Sequence, residues 1–244
     1  MKAVRVIADA KLSWDDVPTP APAAGEVLIK VQATAINRAD LMQRMGLYPP
    51  PPGASDVMGL ECAGTIAAVG DGVTRWKEGD EVCALLSGGG YAQFAVAPEG
   101  SVLPVPQGLT MAHAACLPEV FATAYLNMYM EANLQQGEKV ILHAGASGVG
   151  TAGIQLAKAF GNPSFVTAGG DDKIQACVDL GAEAGANRKT ERFLEKASTF
   201  AGDSGVDLIL DPVGGEYLQD NVKLLGIGGR LVLIGLMGGL SAEL

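Results

Sequence analysis

The run Gly145-Ala146-Ser147-Gly148-Val149-Gly150 follows the apolar stretch Val140-Ile141-Leu142-His143-Ala144 and opens a helical pattern. A strand, a glycine loop and a helix in that order form the context that the dinucleotide fingerprint G-x-G-x-x-G requires. Gly145 and Gly150 match it, and Ser147 stands where the middle glycine falls. Gly145 permits the tight turn, and Gly150 lets helix and strand pack closely. Backbone N–H groups at the helix N-terminus, aided by its dipole, then meet a pyrophosphate. The competing reading is a glycine-rich structural turn. The position of the loop after the first of five similar strands weighs against it.

In an NAD-type site an acidic residue ends the second strand. Here that strand runs Phe165-Val166-Thr167-Ala168-Gly169-Gly170, with Ala168 at the acid position. Gly169 and Gly170 leave room for a bulky anion. Lys173 follows, and Arg188 comes just after the third strand. In a doubly wound sheet the ends of strands two and three are close, so both cations can meet a 2′-phosphate, which points to NADPH. Two solvated surface cations are the plainer alternative. Asp171 and Asp172 begin the next helix, where carboxylates suit the dipole, and are expected to face solvent.

The elements around these residues read as α/β. The apolar runs Lys139–Ala144, Ser164–Ala168, Ala184–Asn187, Val206–Asp211 and Arg230–Gly235 alternate with helical patterns at Gly148–Phe160, Asp171–Leu180, Thr190–Ala201 and Gly215–Leu225. Such alternation means βαβ units and a parallel, doubly wound sheet. In the first helix Val149, Ala152, Leu156, Ala157 and Phe160 share one face. Before Pro118 the chain is β-rich, with strands expected at Ala3–Ile7, Glu26–Ile36, Gly64–Val69, Glu81–Leu86 and Gln93–Ala97; Glu119–Ala132 reads as a helix. The expected domains are residues 1–118 and 119–244.

Lys+Arg 17 against Asp+Glu 27 gives 17 − 27 = −10, which argues against a nucleic-acid surface. Lys2, Arg5 and Asp9 break up any signal-peptide pattern at the N-terminus. The uncharged stretch Val140–Ala157 holds four glycines with His143, Ser147 and Gln155, so no membrane span is expected. Cys62, Cys83, Cys116 and Cys177 form no CxxC pair and are expected as buried, reduced thiols, which favours the cytoplasm.

Further segments carry a resemblance. They are Asn37-Arg38-Ala39-Asp40-Leu41-Met42-Gln43-Arg44 with Gly46 and Tyr48, Pro49–Gly53, Gly59-Leu60-Glu61-Cys62-Ala63-Gly64, Gly79-Asp80, Leu86 with Gly88-Gly89-Gly90, Thr123-Ala124-Tyr125, His143–Gly150 and Gly235-Leu236-Met237-Gly238-Gly239. Together they resemble the zinc-free quinone oxidoreductase (zeta-crystallin) branch of the medium-chain dehydrogenase/reductases, nearest to its subgroup of tumour-suppressor-induced quinone oxidoreductases. The resemblance implies a GroES-like N-terminal domain, a Rossmann domain, a cleft between them and NADPH-dependent reduction of a quinone. It implies nicotinamide-side contacts from Asn37, Thr123 and the backbone of Gly235, Leu236 and Met237. It places Tyr48 beside the quinone; a turn tyrosine packed on Pro49–Pro52 is the alternative, and Asn37 can instead cap or bridge loops.

Zinc-dependent relatives carry a cysteine where Asn37 stands and a histidine where Leu60 stands, so no metal is expected here. His113 is expected in a helix and His143 at the end of the first parallel strand. The family's members are longer and homodimeric. The chain therefore looks truncated at its C-terminus, lacking a sixth strand, the dimerisation edge and a return segment. Two other readings remain: a non-enzymatic, crystallin-like NADPH-binding protein, and a zinc-free reductase of α,β-unsaturated carbonyls.

Overall fold

A computed structural model describes residues 1–243. The chain divides into two compact units, Met1–Glu119 and a second from Val120 onward.

In the first unit, β1 (Lys2–Ile7) and β2 (Lys11–Asp16) form an antiparallel hairpin. A five-stranded antiparallel sheet follows, built from β3 (Glu26–Thr34), β4 (Glu61–Val69), β5 (Glu81–Leu85), β6 (Phe94–Pro98) and β7 (Val102–Pro104) in the order β6-β3-β4-β5-β7. Val27 and Ile29 alternate inward and pack with Ile66, Val82, Ala95 and Val102, as a period of two demands. Two short helices, α1 (Arg38–Arg44) and α2 (Met111–Ala114), complete this unit; α2 holds the exposed His113. β2, β7 and α1 escaped the sequence pattern, whereas α2 is the helix expected around His113. The faces of β2 are exposed or half-exposed, and α1 is too short to show a period.

The second unit is a parallel sheet of β8 (Val140–Leu142), β9 (Ser164–Ala168), β10 (Ala184–Asn187), β11 (Val206–Asp211) and β12 (Leu225–Leu233), in the order β10-β9-β8-β11-β12. This is the doubly wound order, in which the chain starts at the middle strand and winds outward both ways. α3 (Pro118–Tyr125) spans the division between units and continues into a π-helical turn, Leu126–Glu131. α4 (Gly148–Phe160), α5 (Asp171–Leu180), α6 (Phe193–Ala201) and α7 (Leu218–Leu224) follow. Both faces of the sheet are buried. Val140, Leu142, Val166, Leu208 and Leu210 pack with Met128 and Ile154, and Ile141, Phe165, Val206 and Ile209 pack with Phe193 and Leu224. Burial on both sides is why these strands read as continuous apolar runs.

Several expectations are corrected. β12 begins at Leu225, not Arg230, because Leu225 pairs with Val206 before a register shift that glycine-rich sequence conceals. The helix expected over Thr190–Ala201 starts at Phe193, since Thr190 and Glu191 turn back onto Asn187. On the expected face of α4, Ala152 and Ala157 are buried and Val149 and Leu156 pack on the core, joined by Gly153 and Ile154; only Phe160 lies outside it, tilted against Tyr129 at 4.7 Å between ring centroids. Cys116 is exposed; Cys62, Cys83 and Cys177 are buried and unpaired.

Arg230 anchors β12. Its guanidinium donates to Ala132 O at 2.9 Å, to Asn133 O at 3.3 Å and to both Glu138 carboxylate oxygens at 3.2 and 2.6 Å. The Arg230 hydrogen bonds hold the Glu138 carboxyl below its ordinary pKa. A carboxylate with a depressed folded pKa adds stability above the unfolded value, and that stability is lost as pH falls through the folded value. Glu138→Gln is therefore expected to cost about 1–3 kcal/mol at neutral pH. Denaturant unfolding at neutral and acid pH should show the gap between wild type and variant closing in acid.

Candidate functional site

The carboxyl ends of β8, β9 and β10 carry the first group of expected site residues. After β8 the chain turns through His143 and Ala144, the latter at φ 53°, a left-handed conformation that a residue with a side chain adopts only at a cost. The glycines that follow are dictated by packing. A Cβ on Gly145 would lie 2.6 Å from Val166 Cβ, one on Gly148 would lie 2.8 Å from Val120 Cγ1, and one on Gly150 would lie 2.6 Å from the carbonyl oxygens of Ala144 and Gly145. Ala146, Ser147 and Gly148 are exposed at the loop's tip, Val149 is half-buried, and α4 points its positive end at that tip. Ser147 is the N-cap of α4: its Oγ accepts the Gly150 N–H at 3.1 Å. The side chain at the middle position of the fingerprint is thus spent on the helix, leaving the loop's outer surface open to an anion.

At the end of β9, Gly169 lies under two cations. A Cβ there would sit 3.4 Å from Lys189 Cε and 3.7 Å from Arg188 Nη2. β9 and β10 pair directly, which brings Arg188 to this place. Lys189 was missed in the sequence, although its position directly after Arg188 was the available signal. Lys173 is exposed in the first turn of α5. Asp171 and Asp172 face solvent in the first turn of α5, as expected. Asp171 Oδ1 also accepts from the buried Asn187 amide at 2.8 Å. Asp172 folds back so that a Cβ on Gly170 would lie 2.5 Å from its Oδ1.

The residues after β12 run beside the end of β11. Met237 N–H donates to Pro212 O at 3.2 Å and Gly238 N–H to Val213 O at 2.7 Å. A Cβ on Gly235 would lie 2.7 Å from Pro212 O, so this approach needs glycine. Leu236 and Met237 leave about half their surface open, at 50% and 46%. Thr123, half-buried in α3, lies one turn beyond Val120, the residue that packs on Gly148. All of these except Thr123 line the carboxyl edge of one sheet, the place where open α/β sheets bind ligands.

In the first unit Asn37 is buried just before α1, and its side-chain amide donates to Glu61 Oε1 at 2.7 Å. Glu61 Oε2 accepts the Glu119 N–H at 2.9 Å. The Asp40 carboxylate accepts from Asn37 N–H at 2.8 Å and from the Tyr91 hydroxyl at 2.6 Å. Asn37 therefore ties the start of α1 to β4. Glu61, Asp40 and Tyr91 were not found in the sequence, because only the fold joins residues so far apart. Burial, foremost, pushes up the pKa of the Glu61 carboxyl and the Tyr91 phenol, and drives the Cys62 thiol to about 12. Tyr48 is 46% exposed at the head of the proline run. Among the described residues no group of three His, Cys, Asp or Glu side chains is arranged to hold a metal ion.

The cap at Ser147 is separable from the loop's shape. Ser147→Ala should lower stability by about 1 kcal/mol, whereas Ser147→Asp keeps a capping oxygen and should remain near wild type. Thermal or denaturant unfolding of the two variants checks this.

The alcohol dehydrogenase GroES-like domain family matches residues 23–107, and the zinc-binding dehydrogenase family matches residues 148–243. The quinone oxidoreductase of Rattus norvegicus is 35% identical across 99% of this chain and 75% of its own length. Among solved structures, CurK enoyl reductase superposes with a TM-score of 0.87 at 32% identity, covering 97% of this chain and 74% of its own. A mycobacterial quinone oxidoreductase gives 0.86 at 30%, covering 100% and 76%. The zinc of the second family's description finds no fitting donor set in the described residues, where Asn37 offers a neutral amide already bound to Glu61. The loop at Gly145–Gly150, by contrast, fits a dinucleotide, and with both domain families matched in order the chain belongs to the medium-chain dehydrogenase/reductase superfamily, an oxidoreductase that works with NAD(P).

Proposed function

We propose that this enzyme reduces quinones with NADPH and without a catalytic metal. The observation that carries the cofactor choice is the pair of cations over Gly169, at a strand end with no carboxylate of its own. A carboxylate at Ala168 would bond a ribose 2′-hydroxyl and repel a 2′-phosphate; Arg188 and Lys189 instead offer charge-assisted hydrogen bonds. Kinship with quinone oxidoreductases supports the substrate class.

Bound NADPH supplies a hydride from its nicotinamide ring. In this reading the loop Gly145–Gly150 receives the diphosphate on α4's backbone N–H groups. Arg188 and Lys189, with Lys173 from the first turn of α5, select the phosphorylated ribose. We assign nicotinamide-side contacts to Thr123, Asn37 and the backbone of Gly235–Met237, and a quinone contact to Tyr48. A quinone is already electrophilic, so the residues need only orient it and exclude competing reactions; the Lewis acid that alcohol oxidation uses is dispensable. Reduction of an activated carbon–carbon double bond is the second reading, favoured by the likeness to CurK enoyl reductase. We place the enzyme in the cytoplasm on its unpaired cysteines.

Paired titration with NADPH and NADH tests the cofactor assignment. Wild type should prefer NADPH. Arg188→Ala and Lys189→Ala should each weaken NADPH by about 10- to 100-fold, the equivalent of one charge-assisted hydrogen bond, and leave NADH nearly unchanged. Equal wild-type affinities, or losses shared by both cofactors, contradict it. Turnover of ortho- and para-quinones should survive chelation and exceed turnover of α,β-unsaturated ketones; the opposite ranking would favour the second reading.

A further inference from the structure

A continuous chain of buried hydrogen bonds crosses three strands behind the cofactor loop. Its members are Thr167 on β9, His143 after β8, Asn221 on α7 and Asp211 on β11, exposed by 1%, 2%, 0% and 0%. The Asp211 carboxylate accepts Val213 N–H at 2.6 Å, Gly214 N–H at 3.2 Å and Asn221 Nδ2 at 2.9 Å. A carboxylate only accepts, so the Asn221 amide nitrogen must face it, and Asn221 Oδ1 faces His143 Nε2 at 2.7 Å. Oδ1 also only accepts, so Nε2 carries the proton. The neutral ring then accepts at Nδ1 from the Thr167 hydroxyl at 3.1 Å, whose Oγ1 in turn accepts Ala144 N–H at 3.3 Å. With the buried ring neutral, every remaining donor and acceptor is assigned by elimination, and the chain runs in one direction. Phe193 and Tyr217 flank the imidazole edge-on at 4.9 and 4.8 Å, closing it from water.

The two ends of this chain hold the two halves of the proposed cofactor site. At one end Thr167 binds Ala144 N–H through Oγ1 and Gly145 N–H through its carbonyl at 2.8 Å, fixing the left-handed turn that launches the glycine loop. At the other, Asp211 fixes the turn at Val213 and Gly214, against which Met237 and Gly238 dock. We propose that His143, held as the Nε2–H tautomer, is a positioning residue that sets the diphosphate loop against the Gly235–Met237 segment, so that losing a link in the relay weakens NADPH binding. The inference rests on the reading of these two segments as the cofactor site.

The test pairs Thr167→Val, which keeps the side-chain shape but removes the hydroxyl, with Thr167→Ser, which keeps the hydroxyl. Thr167→Val should raise the NADPH Kd, followed by nicotinamide fluorescence, by about tenfold, and Thr167→Ser should restore most of it. Nitrogen-15 spectra of the wild-type protein should show a neutral His143 protonated at Nε2 near neutral pH, without any variant. A folded Thr167→Val protein with unchanged Kd overturns the proposal, as does an Nδ1–H tautomer or an imidazolium in the wild type. Failure of wild type to bind NADPH would instead sink the cofactor assignment, and with it the proposal built on it, while the tautomer still reads separately.

Discussion

The close approach of α4 to the end of β8 is the constraint on which the second unit depends. Gly150 sits so near the carbonyls of Ala144 and Gly145 that no side chain fits between. That contact draws the helix axis onto the strand end and aims the positive end of α4 at the exposed tip, Ala146 to Gly148. The turn that permits it is itself strained at Ala144, and the strain is held by two bonds to Thr167. An anion site at a helix N-terminus is thus a by-product of packing two elements as closely as glycine allows.

The same sheet edge shows how a parallel sheet spends buried polar groups. Nearly all side chains inside the sheet layers are apolar, yet His143, Thr167, Asn221 and Asp211 lie fully enclosed at the carboxyl end. Each has its partners, so the cost of burial is offset, and the polar chain specifies one arrangement of three strands and α7 where apolar contacts would tolerate several. Burial, opposed by the nearby Asp211 charge, draws the His143 pKa down and keeps the ring neutral.

The first unit uses a comparable device with a different chemistry. Glu61 is enclosed at 1% exposure, and its carboxylate gathers the Asn37 amide and the Glu119 N–H at the start of α3. Asp40 is shared between Asn37 N–H and Tyr91. Neutral donors, not cations, meet both carboxylates, with Asp40 Oδ1 left buried and unpartnered; burial therefore dominates and the Glu61 pKa rises.

What the sequence by itself determined is local in the chain. The glycine loop, the strand before it and the helix after it are contiguous, so their types and spacing sufficed to place them; so did the alternation of strands with helices that demands a parallel sheet. The limits of α4, α5, β9, β10 and β11 were legible for the same reason. Only the tertiary structure decided the rest. Lys189 joins the expected Arg188 over Gly169, and Asn37 turns to Glu61 across 24 residues of sequence. His143 meets Asn221 across 78, and β12 starts early because Leu225 finds Val206. Such contacts depend on which elements become neighbours, and a side chain's partner in space leaves no trace in its spacing along the chain.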